Sequence, residues 1–422
     1  MEKPKSKFLK ALFRRGDFHE SNNIAVLDEL AMNNKLIGYI GFDATAPSLH
    51  VGNLMQILKL RIMQQTGQKP IVLIGGGTTR IGDPSGKDEM RKIRDDQEIK
   101  QNINKIKSIL SKFIIFGDGP NEAILVNNSD WLNKLNYISF LRDIGKFFTI
   151  NRMLTFESVK NRLDRSQPLS FIEFNYMILQ AYDFLKLNKD FKCNLQMGGS
   201  DQWGNILNGI ELCRRYSAKE VFGITSELLT TSSGSKMGKT AKGAVWLSDD
   251  LLSAYEYWNF WRNTEDPDVI RFLKIFTDIP DKEIDTININ NIDEINEAKK
   301  LLATEATAMC HGRSSAEEAE KTAKKTFGSG LYGDSLPTLD ISLPDLNKGI
   351  AVFDLFKKAF NLSSGSEARR IIREGSAKIN DVKINNETNI INNSNFESSN
   401  ILKLSIGKKK HSIVKKINPE DL

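Results

Sequence analysis

The sequence lacks features that would define several whole classes of protein. No run of eighteen apolar residues occurs in its 422 residues, which excludes a transmembrane helix. It has only three cysteines, widely separated and without a Cys-x-x-Cys pair, so neither a disulfide framework nor a zinc site is predicted. The four histidines are equally dispersed. The first residues lack the apolar core of a signal peptide, so we expect a protein of the cytoplasm.

The charge of the chain is unevenly distributed. Residues 350–422 hold 13 Lys/Arg and 8 Asp/Glu, a net charge of +5 out of +6 for the whole chain. A basic C-terminal module is expected where a protein contacts the phosphates of a nucleic acid, although an ordinary solvated surface has the same composition.

Composition divides the chain into blocks. In residues 1–246 predicted strands alternate with predicted helices, which favours βαβ units, a parallel sheet and the α/β fold class. The strands are Leu36–Phe42, Pro70–Ile74 and Ile124–Asn127, and the helices are Met55–Thr66 and Gln97–Phe113. Residues 247–330 are helix-rich, with predicted helices at Leu251–Trp261, Val269–Phe276 and Ile292–Lys325. Residues 331–348 form a glycine- and proline-containing linker before a small mixed block at residues 349–416.

A glycine-rich segment, residues 75–87, directly follows one predicted strand. It is not a P-loop, because Ile81 and Asp88 occupy positions that require glycine and Ser/Thr, and a Gly-x-Gly-x-x-Gly pattern fails at Arg80. Open α/β sheets bind ligands at the carboxyl ends of their strands, so the segment is still expected to face a ligand. Lys87 and Arg91 are candidates for phosphate contacts there, with exposed surface charge as the alternative.

Two short segments are typical of anion binding. His50-Val51-Gly52-Asn53 lies between a predicted strand and a helix-like run, where backbone N–H groups and the helix dipole favour anions. Lys236-Met237-Gly238-Lys239-Thr240 places two lysines three residues apart in a loop rich in glycine and hydroxyl groups. In this order, the two segments resemble the HIGH and KMSKS signatures of the class I aminoacyl-tRNA synthetases.

Two further segments carry polar groups. Residues 175–184 predict a helix on which Tyr176, Gln180 and Asp183 share one face; in isolation, an amphipathic helix with a solvated polar face explains this pattern equally well. Residues 196–206 follow a strand-like Phe191–Leu195 and bring more polar groups to a strand end.

Taken together, these segments resemble the tyrosyl-tRNA synthetases of the bacterial type. They are the two signatures, residues 39–43 (Tyr-Ile-Gly-Phe-Asp) with residues 176–183 (Tyr-Met-Ile-Leu-Gln-Ala-Tyr-Asp), and the segment at 196–206. Tryptophanyl enzymes share the fold, but the pairing of 39–43 with 176–183 is the tyrosine-specific combination. The resemblance implies a Rossmann-like catalytic domain over 1–246, a helical anticodon-side domain over 247–330 and an α+β S4-type RNA-binding domain over 349–416.

The resemblance also implies a reaction. The carboxylate of L-tyrosine would attack the α-phosphorus of ATP to give tyrosyl-adenylate and pyrophosphate, and the tyrosyl group would then pass to the 3′ end of tRNA(Tyr). No protein nucleophile is required, because the carboxylate is already ionised near neutral pH. Mg²⁺ is expected to accompany ATP as a substrate, and no protein-bound metal or organic cofactor is predicted.

Individual residues receive roles from the same resemblance. Tyrosine would be held by its phenol hydroxyl (Tyr39 and Asp183) and by its ammonium side (Tyr176, Gln180, Asp83 and Gln202). ATP would be bound by Gly41, Asp43, His50, Gly52, Asn53, Gly199, Asp201, Lys236 and Lys239. Charge developing during the reaction would be stabilised by Thr45, His50, Lys87, Arg91, Lys236, Lys239 and Thr240. Asn53 and Gly238 depart from the family signatures, and Gly238 is expected to make its loop more flexible.

The last block resembles an S4 RNA-binding domain in residues 364–381. Arg369, Arg370 and Arg373 are expected to project from one helix toward phosphates, while a basic helix that packs on the body of the enzyme is the alternative. The resemblance further implies a homodimer through an insertion at about residues 125–165, whose apolar residues fit a core equally well. A non-catalytic RNA-binding or RNA-chaperone protein is the alternative function, and it predicts damaged ATP motifs beside an intact S4 block.

Overall fold

The chain folds into two compact units. This computed structural model describes residues 3–84, 94–234, 237–240, 243–328, 336–396, 400–407 and 410–417. Unit 1 comprises Met1–Leu252 and Phe260–Cys310, and unit 2 comprises Ser253–Asn259 and His311–Leu422. The helical residues 260–310 thus belong with the sheet of unit 1, and a separate helical domain stays a prediction. None of the helices described is both long and apolar enough to cross a membrane.

Unit 1 is built on a six-stranded sheet in the order β1-β6-β5-β2-β3-β4. All neighbouring strands are parallel except the edge pair of β1 and β6, which is antiparallel. The strands are β1 (Glu20–Ser21), β2 (Ile37–Asp43), β3 (Lys69–Gly75), β4 (Ile124–Asn127), β5 (Leu195–Gly199) and β6 (Phe222–Ser226). A separate hairpin pairs β7 (Lys239–Thr240) with β8 (Gly243–Ala244). The predicted α/β fold with a parallel sheet is confirmed.

Helices connect the parallel strands of unit 1. They are α1 (Lys7–Arg14), α2 (Ile24–Met32), α3 (Val51–Gln65), α4 (Asp96–Leu110), α5 (Ser129–Leu132), α6 (Tyr137–Asp143), α7 (Ile150–Met153), α8 (Glu157–Asp164), α9 (Phe171–Phe191) and α10 (Trp203–Ser217). The later helices are α11 (Ala254–Arg262), α12 (Val269–Phe276), α13 (Asp281–Ile284) and α14 (Ile292–His311). The switch in strand order between β5 and β3 places β2 at the centre, with its carboxyl end facing the predicted site.

Helix α9 begins with a reciprocal cap. The Ser170 hydroxyl accepts from the backbone N–H of Glu173 at 3.2 Å, and the Glu173 carboxylate accepts from the backbone N–H of Ser170 at 3.1 Å. The helix ends at Lys192, which adopts a left-handed conformation with φ of 60°. The predicted strand Phe191–Leu195 is therefore wrong: α9 runs through Phe191, and β5 begins only at Leu195.

Unit 2 contains a second, mostly antiparallel sheet. Its order is β12-β11-β14-β15-β9, and only β15 and β9 run parallel. These strands are β9 (Thr338–Ser342), β11 (Ala377–Ile379), β12 (Val382–Lys383), β14 (Ile401–Ile406) and β15 (Lys410–Ile417), beside a pair formed by β10 (Ile350–Ala351) and β13 (Ile390–Ile391). The helices are α15 (Arg313–Gly328), α16 (Leu343–Lys348), α17 (Val352–Ala359) and α18 (Gly365–Arg373). This mixed architecture fits the predicted S4-like domain.

One predicted helix is divided in the structure. Ile292–Lys325 was predicted as continuous, but α14 ends at His311 and α15 starts at Arg313. Gly312 separates them with φ of 90°, a backbone conformation that ends a right-handed helix. The periodic pattern alone does not reveal this break, because glycine also occurs inside helices.

The predicted dimer insertion separates into buried and exposed apolar residues. Phe140, Phe147 and Phe148 pack against the core of unit 1, whereas Ile150 and Leu154 are exposed. Further exposed apolar side chains in or next to the insertion are Tyr137, Ile138, Leu141, Leu163, Phe171 and Ile172. The core alternative therefore accounts for only part of this segment.

Candidate active site

One face of the central strand β2 carries the first site residues. Side chains alternate along a strand, so Tyr39, Gly41 and Asp43 lie on the same face. Tyr39 is almost fully buried at 1% exposure, whereas Gly41 is exposed although strands pair on both sides of β2. Because Gly41 has no side chain, a ligand can approach the middle of the sheet at this point.

Tyr39 and Asp183 are both buried at the inner end of this face. Asp183 is 1% exposed, and burial raises its pKa to about 7 despite hydrogen bonds from Asn128 and Trp131 that favour the charged form. Burial and the charge of Asp183 raise the pKa of Tyr39 well above its ordinary value, so its phenol stays protonated. The Tyr39 hydroxyl oxygen is buried and has no hydrogen-bond partner among the described residues. A buried polar group of this kind is costly unless a ligand satisfies it.

Two side chains that sequence reasoning missed hold the Asp183 carboxylate. Trp131 donates its indole N–H to Oδ1 at 2.7 Å, and Asn128 donates its amide to Oδ2 at 2.9 Å. Both residues come immediately after the predicted strand Ile124–Asn127. The rule that ligand-site residues follow the carboxyl ends of strands therefore points to them, although it was applied only to the neighbouring strands.

The Asp43 carboxylate orients the side chain of Tyr176 through a hydrogen bond. The Tyr176 hydroxyl donates to Asp43 Oδ2 at 3.0 Å, and the Thr78 hydroxyl donates to Oδ1 at 2.7 Å. Burial and then the charge of Asp43 raise the pKa of Tyr176 well above its ordinary value, so its proton stays directed at the carboxylate. The phenol oxygen of Tyr176 consequently presents its lone pairs elsewhere and can accept from a cation such as an ammonium group.

The glycine-rich segment makes room for this arrangement. A Cβ at Gly75 would lie only 1.9 Å from Asp43 Oδ1 and 2.6 Å from the Thr78 hydroxyl. Glycine at this strand end is therefore required by the close approach of the Asp43 carboxylate, which explains part of a segment that fits neither nucleotide-binding pattern.

An amide network joins the remaining predicted tyrosine-binding residues. Gln180 donates to Gln202 Oε1 at 3.2 Å, and Gln202 donates to Asp83 Oδ2 at 2.9 Å. Asn205, which sequence reasoning missed, donates to Gln180 Oε1 at 2.9 Å and to Gln202 Oε1 at 3.3 Å. Since Tyr176 and Asp183 on α9 are buried and Gln180 is half-buried, the polar face of this helix lies inward. The solvated-helix alternative is therefore excluded.

The two signature segments are in contact. The Gly238 backbone has φ of 87°, and a Cβ there would lie 2.5 Å from the backbone nitrogen of Gly52. Backbone hydrogen bonds from Val51 N to Val245 O and from Val245 N to Gly238 O, both 2.9 Å, continue the contact. Gly238 is thus required both by its backbone conformation and by close packing, while its expected effect on loop flexibility stays a prediction.

The first signature also caps a helix. His50 is the residue before α3, and its backbone N–H donates to Asn53 Oδ1 at 3.1 Å. The amide oxygen of Asn53 is therefore engaged in the cap, which leaves its NH₂ group as the donor oriented by this bond. Helix α3 begins after the carboxyl end of β2, and the dipole at its N-terminus favours an anion there.

The remaining predicted ATP and phosphate residues are only partly described. Thr45 and Asp201 are half-buried, and Gly199 ends β5 beside Asp201. Lys87, Arg91 and Lys236 lie outside the described residues. Lys239 and Thr240 form β7 opposite Ala244 and Gly243, but their side chains lie outside the description. No group of three or more potential metal-ligating side chains occurs in the described part of the chain.

The three predicted RNA-binding arginines lie on α18 of unit 2. Arg370 and Arg373 are exposed and approach Glu374 at 3.9 Å and Glu387 at 2.5 Å. Arg369 instead places its guanidinium 3.8 Å from the ring centroid of Phe353. Ala368 and Ile372 on the opposite face are buried, so the helix presents its basic face outward within this unit.

Sequence comparison identifies the architecture that carries these residues. The model of a family described as tRNA synthetases class I (W and Y) matches residues 31–328, about 71% of the chain. The chain belongs to this family. The matched residues include both signature segments and the whole hydrogen-bonded network described above.

Full-length relatives and a solved structure agree with that assignment. The chain is 53% identical to the tyrosine–tRNA ligase of Nitrobacter winogradskyi, over 97% of this chain and 99% of the relative. It is 52% identical to the tyrosine–tRNA ligase of Methylocella silvestris, over 98% of each chain. The C-terminally truncated mitochondrial tyrosyl-tRNA synthetase of Aspergillus nidulans is 30% identical, with a TM-score of 0.68 over 76% of this chain and 95% of that one.

Proposed function

We propose that this class I tRNA synthetase is a tyrosine–tRNA ligase that converts L-tyrosine and ATP into tyrosyl-adenylate and then charges tRNA(Tyr). The observation that carries the proposal is the buried Tyr39 hydroxyl beside the Asp183 carboxylate. A substrate phenol donates to Asp183 and accepts from Tyr39, which satisfies both groups. Phenylalanine leaves the buried Tyr39 hydroxyl without a partner and gives Asp183 no third donor beside Asn128 and Trp131, and it is rejected by that penalty.

The ammonium group of tyrosine is held at the other end of the pocket. Tyr176 offers its phenol oxygen, because its proton is directed at Asp43. Gln180, Gln202 and Asp83 contribute amide and carboxylate oxygens from their hydrogen-bonded network. Together these groups place the tyrosine carboxylate near the helix N-terminus that follows β2, where the phosphates of ATP bind.

ATP binds where the two signatures meet. Thr45 and His50 contact its outer phosphates, Gly41, Gly52 and Gly199 let the nucleotide approach the backbone closely, and Asn53 and Asp201 supply polar contacts. Lys87, Arg91, Lys236 and Lys239, with the hydroxyl of Thr240, stabilise charge on the departing pyrophosphate. Asp43, whose carboxylate accepts from Tyr176 and Thr78, is a further contact on the ATP side. Mg²⁺ enters as part of the ATP substrate.

The proposal extends to partners and location. The exposed apolar side chains around residues 137–172 form a homodimer interface, and Arg369, Arg370 and Arg373 of the S4-like unit contact tRNA phosphates. The catalytic domain comprises residues 1–246 and the helical domain residues 247–330, whereas the S4-type domain includes Thr338–Ser342 of the predicted linker as well, because β9 pairs with β15 in its sheet. Free, buried Cys193, Cys213 and Cys310 suit the reducing cytoplasm, where tRNA is charged.

The test is tyrosine-dependent exchange of labelled pyrophosphate into ATP by the purified full-length protein. Exchange with tyrosine and not with phenylalanine is expected. Folded protein without exchange would refute the enzyme and favour the RNA-binding alternative, which charges no tRNA. Transfer of labelled tyrosine to tRNA(Tyr) then tests the second step.

A further inference from the structure

The segment before the Lys236–Thr240 signature is held by two carboxylates from a distant part of unit 1. The backbone N–H of Ser232 donates to Asp268 Oδ2 at 2.7 Å. The hydroxyls of Ser232 and Ser233 donate to the two oxygens of Glu265 at 2.7 and 2.9 Å. The carbonyl of Thr230 accepts from the Arg271 guanidinium. Residues 230–233 are therefore tied to the start of α12 by both backbone and side-chain contacts.

Asp268 makes the strongest of these contacts. It is 3% exposed and lies directly before α12, so the helix dipole stabilises its carboxylate and its hydrogen bond to Ser232 is shielded from water. Glu265, in contrast, is exposed, and its bonds to the two serines compete with solvent. We call the hydrogen bond from Ser232 to Asp268 the buried tether, and the bonds from Ser232 and Ser233 to Glu265 the auxiliary tether.

The tethered segment leads directly into the signature contact. Met237 N donates to Leu229 O at 2.8 Å, next to residues 230–233. Gly238 then lies against Gly52 at the start of α3. A shift of residues 230–233 would consequently displace Met237 and Gly238 relative to the first signature.

The other end of α12 is attached to the elements that carry the first signature. Arg15, after α1, donates to Ile275 O at 2.7 Å and to Thr277 O at 3.4 Å, near the last turn of α12. Arg61, on α3, forms two hydrogen bonds to the Asp278 carboxylate, at 2.8 and 2.7 Å. The start of α12 is thus attached to residues 230–233, just before the second signature. The end of α12 is attached to α3, the helix that follows the first signature.

We infer that α12 is a strut that sets the position of Met237 and Gly238, in the second signature, relative to α3, with Asp268 as the positioning residue and Glu265 as its auxiliary. The inference rests on the proposed function, because positioning is read through ATP use. Neither carboxylate touches a reacting atom; each acts through the backbone of residues 230–233. Removal of the tether should therefore weaken ATP use while leaving the tyrosine pocket unchanged.

Asp268→Ala and Asp268→Asn form the central comparison. Alanine removes the acceptor, whereas the amide oxygen of asparagine still accepts from Ser232 N–H. For Asp268→Ala we expect the KM for ATP in pyrophosphate exchange to rise about tenfold, with the KM for tyrosine within about twofold of wild type. Asp268→Asn should recover most of the ATP defect. Lys274→Ala is the matched control. Lys274 also lies on α12, and the substitution breaks only its solvent-accessible ion pair with Asp285, which lies outside that helix.

A second variant and a second readout separate positioning from folding and from function. Ser232→Ala with Ser233→Ala removes exposed donors to Glu265 without changing the core, and should raise the KM for ATP by a smaller factor. Tryptic cleavage after Lys236, Lys239 and Lys242, followed by mass spectrometry, should be about tenfold faster in Asp268→Ala and unchanged in Lys274→Ala. This measurement needs no activity, so it tests the tether even if the proposed reaction fails.

Three outcomes would contradict the inference that α12 acts as a strut. One is an Asp268→Ala protein, folded by thermal melting, with wild-type cleavage and a wild-type KM for ATP. Another is equal loss of ATP and tyrosine use, which would indicate general damage to unit 1. An Asp268→Asn variant as impaired as Asp268→Ala would also exclude the hydrogen bond to Ser232 as the cause.

Discussion

The backbone of Gly238 lies against the backbone of Gly52, so that a Cβ on Gly238 would come within 2.5 Å of the Gly52 nitrogen. Segments nearly two hundred residues apart in the sequence therefore meet at one point in unit 1. This contact places Gly238 at the helix N-terminus at which the phosphates are expected to bind.

Gly238→Ala should disrupt that contact. The new Cβ requires the loop to move away from Gly52, and a misplacement of this size lowers kcat/KM for ATP by about 100-fold. Gly234→Ala is the matched control: Gly234 has φ of 83° in the same loop, but a Cβ there meets nothing within 4 Å. Pyrophosphate exchange checks both variants. Similar losses in the two would show that backbone strain, and not the contact with Gly52, is responsible.

Asp183 predicts a pH dependence of tyrosine use. Burial raises its pKa to about 7, and only the ionised carboxylate can accept from Trp131, Asn128 and a substrate phenol together. We therefore expect kcat/KM for tyrosine to fall as the pH drops from 8 to 6, with an apparent pKa near 7, while the KM for ATP changes little. A flat profile for tyrosine over this range would contradict the assignment.

Asp183→Asn should damage tyrosine use selectively. Asn128 and Trp131 each donate to one oxygen of Asp183. In the variant, the NH₂ group of asparagine replaces one of these oxygens, so one hydrogen bond is lost together with the negative charge. We expect kcat/KM for tyrosine to fall by about 100-fold or more, with ATP binding little changed. Steady-state exchange kinetics at varied tyrosine and ATP measure the two effects. Wild-type tyrosine kinetics would move the phenol pocket elsewhere.

The buried ion pair of Lys59 and Asp17 predicts a large effect on stability. The two charged atoms are 3.1 Å apart, and both side chains are almost fully buried. Burial raises the pKa of Asp17 and lowers that of Lys59, so each charge depends on the other. Lys59→Met should reduce the free energy of unfolding by about 3 to 5 kcal/mol.

Urea denaturation measures this change. The control is Lys105→Ala, which breaks a half-exposed pair to Asp250 and should change the free energy of unfolding by about 0.5 kcal/mol or less. The double variant Asp17→Leu with Lys59→Met should be more stable than Lys59→Met alone, because no buried charge is left unpaired. A double variant as unstable as the single one would contradict this interpretation.

Arg369 tests the proposed RNA surface. Its guanidinium is held over Phe353, and Arg369→Ala should reduce the slope of log affinity for tRNA against log salt by about 1 without changing pyrophosphate exchange. Lys358→Ala removes the same charge from α17, where Lys358 pairs with Asp354 at 3.1 Å. Equal effects of both variants on tRNA binding would indicate a general charge effect.

Much of the site could be anticipated from local patterns. The apolar run Leu36–Phe42 predicted a strand, and the spacing of Tyr176, Gln180 and Asp183 predicted that they share one face of a helix, because side-chain direction within one element follows from its period. Asn128, Trp131 and Asn205 were missed, since each is recognisable only through the partner whose hydrogen bonds it completes.

The sequence by itself determined the alternation of strands and helices over Leu36–Asn127, the motifs and the family, because periodicity and short-range spacing are local properties. Only the tertiary structure decided that Gly238 is a packing residue, that Asp43 orients Tyr176, and that Asp268 holds the segment before Lys236. Each of these relationships joins residues far apart in the chain. Their distances depend on how the sheet and helices pack, and no sequence pattern encodes a close approach of two backbones.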